Sequence, residues 1–559
     1  MACNVPRLME QASVLRARND WAAARRLYEA AAAAAPGTGG IHHNIALCLY
    51  AQGSSKAAYE HAEIATRRAP QLVPAWVLRA KIERALNEIQ RAAASLTTAL
   101  ALQPRDPQAL LALADLTLNE LGNARHAQDL VAPLVGHPEY DRDAQLATLV
   151  AKLYDRDESA EAYTRELMAF ATRYLKMPGF RFSAKRIARD RSGEARIRVA
   201  LLSPLFCVSP VYFFTIGALS LLSEEVDLVF FNRGTRSDWA TARFQAIAHE
   251  WHDVAHLPAA ALANALYAQN LDVLIDLGGW MDAIALRAVS TRPAAAQFKW
   301  VGGQSCTTGL DAFDGFVTDE DQTPAASAHL YSEPLLSFDS GYVSYTPPDY
   351  LPAPHAPEAG TRLYGVIANP AKLSDGFLRD LALVCAGVLG EGGALWFIDR
   401  RYRHPQVRER VSAELARGGT AAGFQSGRIR FIAPESHREY LMHVSRLTQI
   451  LDTAPYSGGL STIEALWMDV PCASRPRALF CERHSISHMK FCGLGPRTSA
   501  FARAGRWIVS SHSGRPIAHC ARASHAAVAE NLLRAIRRTQ PARALRVARA
   551  ATAQTARSC

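Results

Sequence analysis

The chain has 559 residues, 49% apolar and 20% charged, with a formal net charge of +10. That length exceeds one hydrophobic core and predicts roughly two to four domains, and the composition excludes collagenous, disordered and disulfide-scaffold classes. No apolar run is long enough to span a membrane, the opening MACNVPRLMEQ lacks the apolar stretch of a secretory leader, and the ten cysteines form no CxxC or paired framework, so a cytoplasmic protein is expected.

Residues 1–142 carry an internal repeat. Pro36, Pro70, Pro104 and Pro138 stand 34 residues apart, and alanines recur in phase at 12, 46, 80 and 114, at 24, 58 and 92, and at 31, 65 and 99. Small residues where two antiparallel helices touch, with a proline closing the second helix, make the tetratricopeptide (TPR) pattern. Such repeats stack into an α-superhelix whose groove takes protein or peptide partners. Their other use is to brace a neighbouring domain or a homodimer.

Residues 143–196 read as a polar, helical bridging region, and then the period changes. RIRVALLSP (196–204), VDLVFFNRG (226–234) and LDVLIDLGGW (271–280) predict buried strands with helical stretches between them, one over 258–269, in an α/β lobe spanning 197–345. The proline-rich 346–361 reads as a hinge. A second lobe over 362–495 repeats the alternation in RLYGVIANP (362–370), GALWFIDRR (393–401), RIRFIAPE (428–435) and LTQILDT (447–453). Two Rossmann-like lobes place a ligand cleft at the carboxyl ends of both sheets.

The most informative stretch is LDTAPYSGGLSTIEALWMDVP (451–471). A strand ending at Asp452 runs into a turn of Tyr456, Ser457, Gly458 and Gly459, and a helix begins at Ser461 or Thr462. Free N–H groups and the positive end of the helix dipole meet there, and glycines let an anion approach the backbone. The corner suits a diphosphate, with Glu464 one turn on within reach of a ribose; an unliganded strand-to-helix turn is the plainer alternative.

These residues resemble the bacterial O-GlcNAc-transferase-like and SPINDLY-like glycosyltransferases, family 41. The likeness covers about 1–495 and rests on RIRVALLSP, DLGGW (276–280), QFKWVGGQSCTTGLDAFD (297–314), YSEPLLSFDSGYVSYTPP (331–348), NPAK (369–372), the 451–471 stretch and RHSISH (483–488). It implies an N-terminal TPR superhelix followed by a two-lobed GT-B catalytic region. It also implies inverting transfer of a sugar, GlcNAc from UDP-GlcNAc above all, to Ser or Thr of protein acceptors held in the TPR groove, with no cofactor and no metal. By the same resemblance Lys372 contacts the diphosphate with Asn369 beside it, His437 packs the base, residues Ser457, Gly458, Gly459, Leu460, Ser461 and Thr462 form the phosphate loop, and Glu464 is the ribose acid.

Departures from the family pattern mark the first lobe. Ser209-Pro210 replaces a His-Pro pair on the acceptor side, Gly459-Leu460 stands where animal-type members have His-Thr, and Trp280 replaces the histidine of a Gly-His-Thr turn, where it either lines a sugar pocket on the acceptor side or packs as a hinge tryptophan. No histidine is left as a general base, so Asp276, at a strand end, becomes the first-lobe catalytic candidate beside Lys372, a hydrogen-bonded strand-end carboxylate being the plainer alternative. Two clusters look like metal sites. Cys481, His484, His488 and Cys492 at helical spacing spread over about 16 Å, too far for one ion. Asp319-Glu320-Asp321 reads as a solvated loop.

Twelve of the 62 basic residues and one of the 52 acidic ones fall within 497–559, leaving 50 against 51 in the rest, so the basic excess belongs to the tail and predicts no nucleic-acid partner. That tail (496–559), whose amphipathic pattern is weak outside 526–537, is expected to be a divergent, partly disordered extension or the product of a reading-frame change. With the missing histidines it motivates a second reading, a TPR scaffold whose glycosyltransferase module has decayed, against which the retained Lys372 and Gly458-Gly459 weigh.

Overall fold

The computed structural model describes residues 5–180, 182, 196–354, 360, 362–388, 393–419, 428–494, 496–497, 508–510 and 518–539. The chain divides into two compact units after Asp155, with Arg403–Glu409 grouping with the first.

The first unit is a run of antiparallel helix pairs: α1 (Val5–Ala17) with α2 (Trp21–Ala34), α3 (Gly39–Ala51) with α4 (Ser55–Arg68), α5 (Val73–Ala85) with α6 (Ile89–Leu102), and α7 (Pro107–Asn119) with α8 (Ala124–Val131), followed by α9 (Asp141–Lys152). The in-phase alanines at 12, 46, 80 and 114 and at 24, 58, 92, 31, 65 and 99 are all buried, as close helix approach requires. Asn19 and Asn87 take the left-handed conformation that lets the chain turn within a pair. Asp20, Asp106 and Asn123 cap the following helices. Glu83, fully buried, is held by Arg79 at 2.8 Å and Ser95 at 2.7 Å, so the charge is compensated inside the stack.

The second unit opens with α10 (Ala160–Phe170) and then builds two parallel sheets. In the first lobe β1 (Arg198–Ser203), α11 (Pro210–Glu225), β2 (Asp227–Asn232), α12 (Trp239–Ala246), β3 (Glu250–Asp253), α13 (Ala259–Ala268), β4 (Val273–Asp276), α14 (Ala283–Val289), β5 (Ala296–Lys299), β6 (Gly315–Thr318) and β7 (Leu335–Ser337) give the order β3-β2-β1-β4-β5-β6-β7. The continuous apolar runs of β1, β2 and β4 follow from burial on both faces.

The second lobe contains β8 (Leu363–Val366), α15 (Asp375–Val388), β9 (Ala394–Ile398), α16 (Pro405–Gly419), β10 (Ile429–Ile432), α17 (His437–Val444), β11 (Gln449–Leu451), α18 (Leu460–Trp467), β12 (Cys472–Ser474), α19 (His484–Phe491), β13 (Pro496–Arg497) and β14 (Ile508–Ser510). Its order is β10-β9-β8-β11-β12-β14-β13, parallel as far as β12 and antiparallel beyond. In both sheets the strand order reverses direction, between β1 and β4 and between β8 and β11. The carboxyl ends of those strands are where ligands lodge in open α/β sheets.

Within the tail, expected to be a divergent, partly disordered extension or the product of a reading-frame change, Ala518–Arg538 form a 21-residue helix, α20, packed against α11 of the first lobe. Val528, Leu532 and Ile536 lie one turn apart and are buried. The packing at Gly217 is so close that a Cβ there would come 2.4 Å from the ring of His525. Asn531 donates to Ser340 at 3.0 Å, and Arg537 pairs with Glu225 at 3.0 Å. The remaining tail residues, 498–507, 511–517 and 540–559, lie outside the described residues.

Candidate active site

Asp452, the residue after β11, organises the turn. Its buried carboxylate accepts the Ser457 hydroxyl (2.7 Å), the Ser474 hydroxyl (2.6 Å) and the Gly458 N–H (2.7 Å), while burial pushes its pKa upward against those donors. Ser485 ties Ser457 to Thr462, and a Cβ on Gly458 would stand 2.4 Å from the Thr462 hydroxyl. Ser457, Gly458 and Thr462 therefore face inward and shape the turn. Tyr456, Gly459, Leu460, Ser461 and Glu464 line a cleft of about 690 Å³. Gly459 caps α18 without a side chain, which leaves the first helical N–H groups to the cleft.

Lys372 ends a short turn that Asn369 caps through its side chain to Ala371 N, 3.0 Å, and that Arg410 braces through the carbonyls of Pro370 and Leu373. The Lys372 ammonium donates to Ser457 O at 2.8 Å and lies 4.3 Å from the centre of the Tyr456 ring. Burial lowers its pKa from 10.5 to about 8, against the pull of Asp452. A cation so placed, with no carboxylate bonded to it in the described structure, suits an incoming anion.

His437, first residue of α17, is fixed from both sides. The Glu464 carboxylate accepts from Nε2 at 3.0 Å, which leaves Nδ1 to accept from the Tyr350 hydroxyl at 2.9 Å. Its ring lies nearly parallel to Tyr440, so the two offer the cleft an aromatic wall. Glu464 is 1% exposed with its pKa raised by burial, and His437 takes one of its oxygens. The part of Glu464 in holding His437 was not legible from its position in the helix.

The first-lobe expectations need correction. Pro210 lines the cleft. Ser209 bonds the Leu205 carbonyl at 2.9 Å and is not among the lining residues. Trp280 is buried, donates to Thr307 O at 3.0 Å and packs against Phe170, so it is a structural tryptophan and not part of the acceptor wall. Asp276 is not a cleft-side catalytic group: it is fully buried, accepts the N–H groups of Gly278 and Gly279, and lies 3.3 Å from the ammonium of Lys299, itself buried. Lys299 donates to the carbonyls of Asp276, Val301 and Gly302, and so holds the Gly302-Gly303 stretch of the cleft wall.

Asp319 is also not part of a solvated loop. It is buried and accepts from Ser487 (2.6 Å) and from the N–H groups of Gln322 and Tyr342. Among the described residues no group of three or more His, Cys, Asp or Glu is placed to hold a metal ion, and no helix is long and apolar enough to cross a membrane. Sequence reading missed Tyr350, Tyr440 and Arg410, whose roles depend on distant partners. It also set aside His484, which lines the cleft.

TPR helix pairs followed by two Rossmann-like lobes around a nucleotide-sized cleft are the architecture of a TPR-bearing GT-B protein. The fold matches that of a mutant of the Thermobaculum terrenum O-GlcNAc transferase with a TM-score of 0.77 at 23% identity, over 91% of this chain and 98% of that one. In sequence the chain is similar to two proteins named as probable UDP-N-acetylglucosamine–peptide N-acetylglucosaminyltransferase SPINDLY. The Petunia hybrida protein is 24% identical over 314 residues (55% of this chain, 33% of the relative), and the Arabidopsis thaliana protein 25% over 311 (54% and 33%). The chain thus spans about a third of the length of these curated relatives. No protein-family profile matches it.

Proposed function

We propose that the protein is an inverting, metal-independent glycosyltransferase that moves a sugar, GlcNAc from UDP-GlcNAc in the first instance, to Ser or Thr hydroxyls of polypeptides bound by its TPR repeats. The observation that carries this reading is Lys372: a half-buried ammonium beside the Ser457 carbonyl and the Tyr456 ring, lining the same cleft as the open N-terminus of α18. Displacing a nucleoside diphosphate develops negative charge on the leaving group, and a fixed cation with helix N–H groups stabilises it without a metal. The names of the relatives supply the donor and the acceptor class.

The aromatic wall of His437 and Tyr440 supports the reading of a nucleotide in the same cleft. Titration calorimetry with UDP and with GDP tests the reading. Micromolar binding of one nucleotide, weakened at least about tenfold by Lys372→Ala, is expected; no binding of either would overturn it and favour a TPR scaffold.

A further inference from the structure

A glycosyl transfer to a hydroxyl needs a group that takes the hydroxyl proton, and of the first-lobe candidates Ser209, Asp276 and Trp280 do not line the cleft. His484 does. It is the first residue of α19 and lines the cleft with Tyr456, whose ring centre is 6.0 Å away, and with Phe480 and Tyr342.

Its tautomer follows from its partners. The Gln322 amide nitrogen donates to the Phe480 carbonyl, so the Gln322 oxygen faces His484 Nδ1, at 3.3 Å. An amide oxygen only accepts, which puts the hydrogen on Nδ1. The Tyr342 hydroxyl stands 3.2 Å from the same nitrogen. Nε2 then carries the lone pair and meets no hydrogen-bond partner among the described residues; the Nε2 of the neighbouring His488 also lacks a partner, but it is one of the buried atoms and that of His484 is not.

We propose, resting on the glycosyltransferase reading, that His484 is the catalytic base and accepts the acceptor hydroxyl proton at Nε2. In that step the acceptor O–H bond breaks and its proton passes to Nε2, while the oxygen's electron pair forms the bond to the anomeric carbon. The bond from that carbon to the diphosphate breaks with its pair leaving on phosphate oxygen, next to Lys372.

The surroundings keep the imidazole ready for this. Burial, His488 and the Lys372 charge hold it neutral, with its pKa well below 6.5, and the positive end of α19 acts in the same sense. Its titratable neighbours are Tyr342, Tyr456, His488 and Lys372. Of these, Tyr342 stays protonated because burial raises its pKa. A bound diphosphate neutralises the Lys372 charge, so donor binding raises the basicity of His484 just when a base is needed.

The test pairs reactivity with turnover on the full chain. Diethyl pyrocarbonate, which acylates unprotonated, solvent-reachable imidazole nitrogens, should modify His484 but not His488, and UDP should protect His484, as read by peptide mass spectrometry. His484→Gln, which can accept a hydrogen bond but not a proton, should bind UDP within threefold of the parent. It should lose about a hundredfold or more of nucleotide release from UDP-GlcNAc with a Ser/Thr-rich peptide pool, together with the acidic limb of the pH–rate profile. Gln322→Leu should lower turnover with smaller effect and shift that limb. An unmodified His484, or a His484→Gln protein with turnover within threefold of the parent, overturns the proposal. Modification of His484 without any binding of UDP or GDP refutes the glycosyltransferase reading, and this inference with it.

Discussion

Nucleotide affinity should depend on pH through Lys372. In the free protein its pKa is lowered from 10.5 to about 8. A diphosphate beside the ammonium restores the ordinary value, because the charged form is then paired. Below pH 8 the lysine is charged in both states and affinity is flat. Above pH 8 the free site loses its proton and binding must take one up, so affinity falls with rising pH. The full shift of 2.5 units, from 10.5 to about 8, corresponds to about 3 kcal/mol. The side chain keeps some contact with solvent, and screening there brings this to roughly 1.5–3 kcal/mol, or about ten- to a hundredfold weaker binding at pH 10 than at pH 8. Calorimetry in two buffers of different ionisation enthalpy measures both the affinity and the proton uptake. Lys372→Ala should bind weakly with no slope between pH 8 and 10. A parent protein with equal affinity at both pH values, or an alanine variant that keeps the slope, would refute the reasoning.

The same lysine should cost stability when the site is empty. With its folded pKa depressed, the unfolded chain holds the extra proton between about pH 8 and 10.5, so the free protein gains stability as pH rises through that window. Lys372→Met should stabilise it by about 1–2 kcal/mol at pH 7, read as a higher thermal midpoint, while nucleotide binding is lost. Asp276→Asn leaves the buried Lys299 ammonium without its carboxylate and should cost about 3 kcal/mol in denaturant unfolding; an unchanged midpoint would show that the pair is not structural. Trp280→Phe loses the bond to Thr307 O and should lower stability by about 1–2 kcal/mol with nucleotide affinity unchanged, whereas a selective loss of transfer would return Trp280 to the acceptor wall. Leu532→Asp places a carboxylate in the contact between α20 and α11 and should cost at least about 3 kcal/mol and reduce soluble yield; a neutral result would mean that this helix does not dock in solution.

Local periodicity made most of the architecture legible. The repeat spacing gave the TPR helices because helix contact forces small residues into phase. The strands β1, β2, β4, β8, β9, β10 and β11 were readable as apolar runs, and the turn after β11 from its glycines. Strands β3 (EWHD), β5 (AQFK), β6 (GFVT), β7 (LLS) and β12 (CAS) were missed: they are as short as β4 and β11, but polar or small residues break up their apolar runs. Helix α20 was legible over 526–537, where Val528, Leu532 and Ile536 mark one face, while the arginines and histidines before it hid its start.

At the site, Tyr456 and Glu464 were nameable from the one turn-to-helix stretch that holds them, and Lys372 from the resemblance at NPAK. Asp276 was misread because a carboxylate at a strand end looks the same whether it faces a cleft or a buried lysine, and Lys299 lies 23 residues on, in an apolar run. His484 passed for part of a metal decoy because its assignment depends on Gln322, which lies 162 residues earlier.

The most direct measurement is incubation of the protein with UDP-GlcNAc labelled in the sugar and a Ser/Thr-rich peptide pool, with the modified residues located by mass spectrometry and Lys372→Ala as control. The account predicts label on Ser or Thr hydroxyls with the parent protein and at least about a hundredfold less with the variant. Equal labelling by both proteins, or no labelling by a parent protein that binds UDP, would contradict it.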